Sequence, residues 1–451
     1  MRSLSAKVVQ RELSPLERWY WIADQISPLN VIGRVRLHGP VSQSSLRSAL
    51  DALQARHPLL RVAIEADAAG REPRFTPVDD RPIPLDHRTL ESSEDGEYGW
   101  ERVIDAELVN GRIDWRAGPL ATATVLSGQG PDSEVSDLIL SLLHVIADGT
   151  TLISLLKQWA ELADGGAVER RVVLPAAEDL FPAEHGGAAG EALAKAKADR
   201  DEGDLQRLSP RRIDADRAVP FEQRRTRFLH RSLGAEELDR LAEACRSRGV
   251  TIHGVLAAAM VLAVATDAGA DGSAWYSIGS PVDFRADLEP PVAQDEVGSY
   301  VATIPSLVEH EAARPLWSMA REISDDLKTR KRRGEQFSMI RLIGASGPTC
   351  LAESMPFVRH LDEKGPINFC ISNIGRFPFP DAIGPWRMTG AQFVASLSVV
   401  GAFVATVNSS HHQLVWNFTY AEGIISDARA AWLADVCVET VLTLVERPDE
   451  A

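Results

Sequence analysis

The fold of this chain is decided by the stretch LILSLLHVIADG, residues 138–149. Its first six residues form a short apolar run of the kind that becomes a buried strand. After Gly149, apolar residues recur at helical spacing, namely Leu152, Leu155, Leu156 and Trp159. The stretch therefore predicts a strand, a tight loop and a helix, with His144 at the end of the strand and Asp148 and Gly149 in the loop.

His144 is the strongest candidate for chemistry. A neutral imidazole, with a reference pKa near 6.5, accepts protons at physiological pH when a neighbouring group fixes its tautomer. Gly149 permits an unusual backbone angle and close approach of a substrate. By themselves, these residues equally fit a hydrogen-bonded core histidine beside a helix-capping aspartate. A metal site would need His144 and Asp148 on one helix, and the preceding strand argues against it.

Length and composition bound the remaining function classes. The 451 residues suffice for two domains, and 48 basic against 64 acidic residues give a net charge of -16, which disfavours nucleic-acid binding. The four cysteines lie far apart, which argues against zinc or disulfide frameworks and favours the reducing cytoplasm. We expect no secretory signal, and the longest apolar run, residues 255–265, is too short to span a membrane. No glycine-rich nucleotide loop is present.

Periodicity divides the chain into two α+β regions. A helix capped by Ser42 should end near residues 56–58, while charge, proline and glycine dominate residues 163–223. Beyond them, we expect a buried helix over residues 251–265, a strand over 413–420 and a closing helix over 426–444. The predicted organisation is a first lobe at 1–175, a crossover linker at 176–222 and a second lobe at 223–451.

Five further motifs accompany the central stretch. They are LSPLE (13–17), RHPLLR (56–61), PVDFR (281–285), VGSY (297–300) and SNIGRF (372–377). In this order, and together with LHVIADG (143–149), they resemble the condensation-type, CoA-dependent acyltransferase superfamily, whose hallmark is H-H-x-x-x-D-G. The opening residues are most similar to the polyketide-associated O-acyltransferases of the phthiocerol dimycocerosyl transferase type.

The resemblance implies an α+β fold of two chloramphenicol-acetyltransferase-like lobes, arranged as a V around a central solvent channel. It implies that His144 is the general base for acyl transfer from a CoA or phosphopantetheinyl thioester. The thioester would be a cosubstrate, with no tightly bound cofactor. An acyl or peptidyl carrier protein is a candidate partner, the acceptor is a small-molecule alcohol or amine, and we expect a monomer.

The resemblance also assigns supporting roles. Asp148 would pair with Arg285 and, with Gly149, hold the loop that carries His144. Asn373 and Gly375 match a segment near the channel, where a substrate contact and a β-turn role are both open. By contrast, we expect structural roles for three other sites: His57 as a cation complementing a helix dipole, His253 at the start of the buried helix, and residues 411–412 within a strand.

A basic cluster stands out against the acidic background. It comprises Lys328, Arg330, Lys331, Arg332 and Arg333. CoA phosphates or a carrier domain would bind such a cluster. The alternative is a solvated helix end that is favoured by the helix dipole.

Leu143 stands where the family has its first motif histidine. Adjacent strand residues point to opposite faces, so a leucine there suits an apolar core. With His144 retained in H-x-x-x-D-G, the resemblance implies an acyltransferase that makes an ester of a lipid, a polyketide or another specialised metabolite. Two alternatives remain, namely an amide-forming stand-alone condensation enzyme and a non-catalytic module that binds a carrier protein.

Overall fold

The computed structural model describes residues 8–90, 95–129, 134–167, 169–269, 272–397, 399 and 401–446. The strands are β1 (Arg11–Glu12), β2 (Asn30–His38), β3 (Val62–Glu65), β4 (Arg74–Pro77), β5 (Leu85–Thr89), β6 (Ala121–Gln129), β7 (Glu134–Leu143), β8 (Thr226–Leu233), β9 (Ala274–Asp283), β10 (Val301–His310), β11 (Phe369–Arg376), β12 (Ala382–Ile383), β13 (Trp386–Ala395), β14 (Phe403–Ser410) and β15 (Gln413–Ala421). The α-helices are α1 (Pro15–Ile26), α2 (Gln43–Arg56), α3 (Asp95–Val103), α4 (Gly149–Ala163), α5 (Gly187–Leu208), α6 (Ala235–Arg248), α7 (Ile252–Asp267), α8 (Leu316–Arg332), α9 (Glu335–Ser346), α10 (Met355–Lys364) and α11 (Asp427–Glu446).

Two six-stranded sheets organise the chain into two lobes. The first has the strand order β12-β13-β2-β7-β6-β5 and the second β10-β9-β11-β14-β15-β8. Helices α2 and α4 pack in the first lobe, and α6, α7, α8 and α11 in the second, each group over its own apolar core. The predicted α+β class with two sheet-based lobes is confirmed, and the V-shaped arrangement around a channel stays a prediction.

The first sheet includes a strand from the far end of the sequence. Strand β13 pairs antiparallel with β2, from Arg387 opposite His38 to Ala395 opposite Val31. A register shift between Thr389 and Gln392 bends the strand at its middle. A division of the sequence at residue 223 therefore assigns β13 to the wrong lobe. Periodicity shows which face of a strand is buried, but it does not show which strand lies beside it.

The segment predicted as a linker contains the 22-residue helix α5. Its apolar face is weak, and its buried residues are Gly190, Ala194 and Lys197. Ion pairs support it instead: Lys197 pairs with Asp201 one turn away. The helix packs against α9. The charged residues that suggested a linker thus form ion pairs that stabilise this helix.

Most of the other helix and strand predictions are confirmed. Ser42 accepts a hydrogen bond from the Ser45 amide as the cap of α2, and Thr251 caps the buried helix α7. Residues 411–412 are an exception, since they form the two-residue turn between β14 and β15 with φ of +49° and +58°. No single helix among the described residues is long and apolar enough to cross a membrane, although α6 and α7, bent by 101°, meet that test as a pair on length and composition.

Candidate active site

His144 lies where β7 ends and before α4 begins. Its backbone amide donates to the carbonyl oxygen of Leu29, 3.1 Å away, which anchors the loop to the chain ahead of β2. The preceding residue, Leu143, is fully buried in the core of the first lobe, as expected for a position that points away from the imidazole. Leucine in place of the first motif histidine therefore adds to the core of the first lobe.

Asp148 and Arg285 form the pair that the resemblance implies. Arg285 Nη1 lies 2.9 Å from Asp148 Oδ2, Nη2 lies 2.9 Å from Oδ1, and both side chains are at most 3% exposed. The carboxylate also accepts from the amides of Thr151 and Tyr300, each at 2.9 Å. Burial alone would raise the pKa of Asp148, but Arg285 and the two amides lower it below its ordinary value. Asp148 is therefore a buried carboxylate that links the two lobes through its ion pair with Arg285.

His144 contacts two groups that fix its ring. The ring of Tyr20 stacks on the imidazole, with 4.1 Å between centroids and 12° between planes. Ser299 Oγ lies 3.3 Å from His144 Nδ1. Burial lowers the pKa of His144, opposed by backbone hydrogen bonds and the charge of Asp148. The imidazole is consequently neutral at physiological pH.

A cavity of about 420 Å³ opens beside His144. It is lined by apolar side chains of both lobes, among them Trp19, Met339, Phe357, Leu361, Ile374 and Phe393. Among the described residues in its wall, Asp148 is the only aspartate or glutamate, and there is no lysine or arginine. The histidine thus meets a chamber that suits an apolar ligand.

Gly149 is required for packing. A Cβ atom at this position would lie 2.6 to 2.9 Å from ring atoms of Phe393, a residue of β13. Gly149 is not among the glycines with positive φ, so the expected unusual backbone angle is wrong. The close approach involves the ring of Phe393, which shares the chamber wall with Gly149.

The sequence of this chain is similar to parts of known proteins. A model of the C-terminus of phthiocerol/phthiodiolone dimycocerosyl transferase matches residues 222–411. The phosphinothricin tripeptide synthetase PhsC of Streptomyces viridochromogenes is 31% identical over 145 residues, which is 31% of this chain and 13% of that protein. The matched regions span only 2% to 13% of the length of the curated relatives.

Solved structures of the same fold cover nearly the whole chain. The first condensation domain of the calcium-dependent antibiotic synthetase, in complex with a substrate analogue, superposes with a TM-score of 0.73 at 17% identity over 98% of both chains. Polyketide synthase associated protein 5 from Mycobacterium tuberculosis gives 0.65 at 16% identity, over 97% of this chain and 98% of that one. The chain therefore has the condensation-domain fold, and residues 222–411 are similar to the C-terminus of phthiocerol/phthiodiolone dimycocerosyl transferase.

The wall that β11 contributes to the chamber differs from the prediction. Ser372 and Ile374 line the chamber, and Asn373 and Gly375 are absent from its lining. Alternate residues of a strand face opposite sides, so the prediction is displaced by one position. Asn373 instead accepts a hydrogen bond from the Gly375 amide at 2.7 Å, and Gly375 has φ of +72°. This arrangement supports the turn role that the sequence left open.

The basic cluster is largely paired within the chain itself. Arg330 binds Asp201, Asp326 and Glu335 at 3.0 to 3.2 Å and is only 12% exposed. Lys331 lies 3.5 Å from Asp287, Arg333 lies 3.9 Å from Glu335, and Arg332 donates to the Thr329 hydroxyl. Arg330 is thus a structural ion-pair residue that ties α8 to α5. Lys328, Lys331, Arg332 and Arg333 are exposed, and a CoA or carrier contact there stays a prediction.

Three residues that contact the central motif were not predicted from the sequence. Tyr20 follows the LSPLE motif by three residues and Ser299 lies within VGSY, so both were within reach of motif matching. Phe393 had no signal, because its place depends on the strand exchange of β13.

His57 is structural, as expected, but the reason was wrong. It is fully buried and its Nε2 lies 2.8 Å from Gln158 Oε1. Burial lowers its pKa to about 4, so it is a neutral hydrogen-bonding group and not a cation at a helix end. His253 packs at the start of α7 with its Nε2 2.9 Å from Ser280 Oγ, which confirms its expected place.

Proposed function

We propose that this chain transfers an acyl group from a CoA or carrier-protein thioester to a hydroxyl acceptor, with His144 as the general base. The observation that carries the proposal is a neutral imidazole in the wall of a large apolar chamber, held by Tyr20 and Ser299. A general base needs this combination of protonation state, fixed orientation and access to a substrate.

The two ring nitrogens of His144 have different roles. When Nδ1–H donates to Ser299 Oγ, the lone pair resides on Nε2, which takes the proton as the acceptor oxygen attacks the thioester carbonyl. The tetrahedral oxyanion then collapses, the carbon–sulfur bond breaks, and the imidazolium returns the proton to the departing thiolate. Gly149 lines the chamber at the N-terminus of α4, where the helix dipole favours developing negative charge.

The chamber favours an aliphatic acyl group over an aminoacyl group. An α-ammonium would need a free carboxylate, and the only one in the described wall, Asp148, is bound to Arg285. The extensive apolar lining instead stabilises a hydrocarbon chain by removing it from water. The donor that best fits is thus an aliphatic thioester, and with a hydroxyl acceptor the product is an ester of lipid, polyketide or specialised metabolism.

The test is product formation by the purified chain. Octanoyl, palmitoyl and aminoacyl thioesters of CoA and of a carrier protein are incubated with alcohol and amine acceptors, and acylated products are identified by mass spectrometry. We expect aliphatic esters, and loss of roughly 10² to 10⁴ in turnover for His144→Ala. His360→Ala, which removes an exposed histidine on α10, is the matched control and should retain turnover.

Other outcomes distinguish the alternatives. Amide products from amine acceptors, with no ester, would establish the amide-forming reaction. Carrier-protein binding without turnover, unaffected by His144→Ala, would establish the non-catalytic module.

A further inference from the structure

We propose that Tyr20 is a positioning residue whose ring stabilises the protonated form of His144 through a cation–π interaction, a role that rests on the proposed function. The two rings are nearly parallel and their centroids are 4.1 Å apart, so an imidazolium would lie directly over the aromatic face. Attraction between a cation and an aromatic face operates within about 6 Å of the ring centroid.

Backbone hydrogen bonds of His144 and Ala147 and the charge of Asp148 also favour the protonated ring. Within the described residues, no carboxylate forms a hydrogen bond or ion pair with His144. The nearby charges are already paired: Asp148 and Asp283 bind Arg285 at 2.7 to 2.9 Å. Glu178, near Tyr20, accepts a hydrogen bond from the Leu16 amide, and burial raises its pKa. Ser299, on Nδ1, is neutral, whereas the aromatic face of Tyr20 lies in direct contact with the imidazole.

The position of Tyr20 is built into α1. Ser14 and Glu17 form a capping box at the start of this helix, and Leu16, Trp19 and Tyr20 face the chamber. The Tyr20 hydroxyl lies 3.5 Å from the Val301 carbonyl oxygen. Burial raises the pKa of this phenol, so Tyr20 remains neutral and acts through its ring.

The interaction favours the charged state selectively. An imidazolium arises only after the base has taken the proton of the acceptor, so attraction to the ring lowers the energy of proton transfer more than that of substrate binding. Loss of the attraction should therefore reduce kcat more than it changes KM, and should lower the pKa of His144.

The test replaces Tyr20 in the full chain with phenylalanine and then with 4-fluoro-, 3,5-difluoro- and 3,4,5-trifluorophenylalanine. Fluorine withdraws electron density from the ring face and changes its shape little. The pKa of His144 is measured by histidine-selective NMR titration, with the signal assigned by its loss in His144→Gln. We expect the pKa to fall stepwise with each fluorine, by about 0.5 to 1.5 units in total.

The same series at Phe357 is the matched control, because this ring lines the chamber and stacks edge-on with Trp19. There the pKa of His144 should stay constant. An unchanged pKa across the Tyr20 series, in variants that retain the wild-type unfolding transition, overturns the inference. The titration needs no substrate, so it is independent of the transfer assay, whose failure would count against the proposed function alone.

Discussion

Asp148 of the first lobe and Arg285 of the second form a bidentate ion pair, with both nitrogen–oxygen distances at 2.9 Å and both side chains almost completely buried. The two residues follow β7 and β9, the strands that carry the motif loop and the segment facing it. The pair therefore fixes the distance between His144 on one lobe and Ser299 on the other, which is the contact that orients the imidazole.

Removing one charge of this pair should destabilise the whole fold. Asp148→Asn leaves Arg285 buried with less compensation, and we expect a loss of about 3 to 5 kcal/mol in the free energy of unfolding. Denaturant unfolding measures this loss. Asp283→Asn is the matched control, because Asp283 binds the same arginine but is 36% exposed. Equal stability of Asp148→Asn and wild type would show that the ion pair with Arg285 does not hold the two lobes together.

Acyl transfer should persist into mildly acidic solution. Burial lowers the pKa of His144 below its ordinary value of 6.5, so the neutral base remains populated as the pH falls through 6.5. We expect kcat/KM to decline only below that pH, with the slope of a single titrating group. The pH–rate profile of the purified protein measures it. A midpoint above 6.5 would mean that another group, or a charged His144, governs the reaction.

The motif loop and its helix were predictable because their signals are local. The apolar run of β7, the 3.6-residue period of α4 and the cap at Asp148 all depend on residues near one another in sequence. The contacts of Tyr20 and Phe393 with this loop were not predictable in that way. They depend on how α1 and β13 pack on the first sheet, and periodicity gives no partner for either.

The partners of the basic cluster were also not predictable from the sequence. Its charges are evident in sequence, but two of the three partners of Arg330 lie on α5 and at the start of α9. A run of positive residues is equally compatible with a ligand site and with an internal ion-pair network, until the acidic side chains are placed around it.

The fold should lose stability as the pH falls from 6.5 towards 4, in part through His57. Its pKa is about 4 in the folded protein, so between these values the unfolded chain binds more protons and acid favours unfolding. The stabilisation is fully present above pH 6.5 and amounts to about 3 kcal/mol. His57→Gln should flatten this part of the stability curve, as measured by urea unfolding at several pH values.

The exposed His360 provides the control for that measurement. His360→Gln should reproduce the wild-type dependence of stability on pH. The pKa of His253 is also about 4, so His57→Gln should retain part of the slope. A variant curve parallel to that of the wild type would show that folding does not lower the pKa of His57.

Gly149 and Phe393 should behave as an energetically coupled pair. Gly149→Ala places a methyl group 2.6 Å from the Phe393 ring, and such overpacking should cost about 1 to 3 kcal/mol of stability. Phe393→Leu removes ring atoms that cause the clash, at the cost of a small void. Because each change relieves the other, the double variant should be at least about 1 kcal/mol more stable than the sum of the two losses. Thermal unfolding of the four proteins measures the coupling, and strict additivity would show that the glycine is needed for another reason.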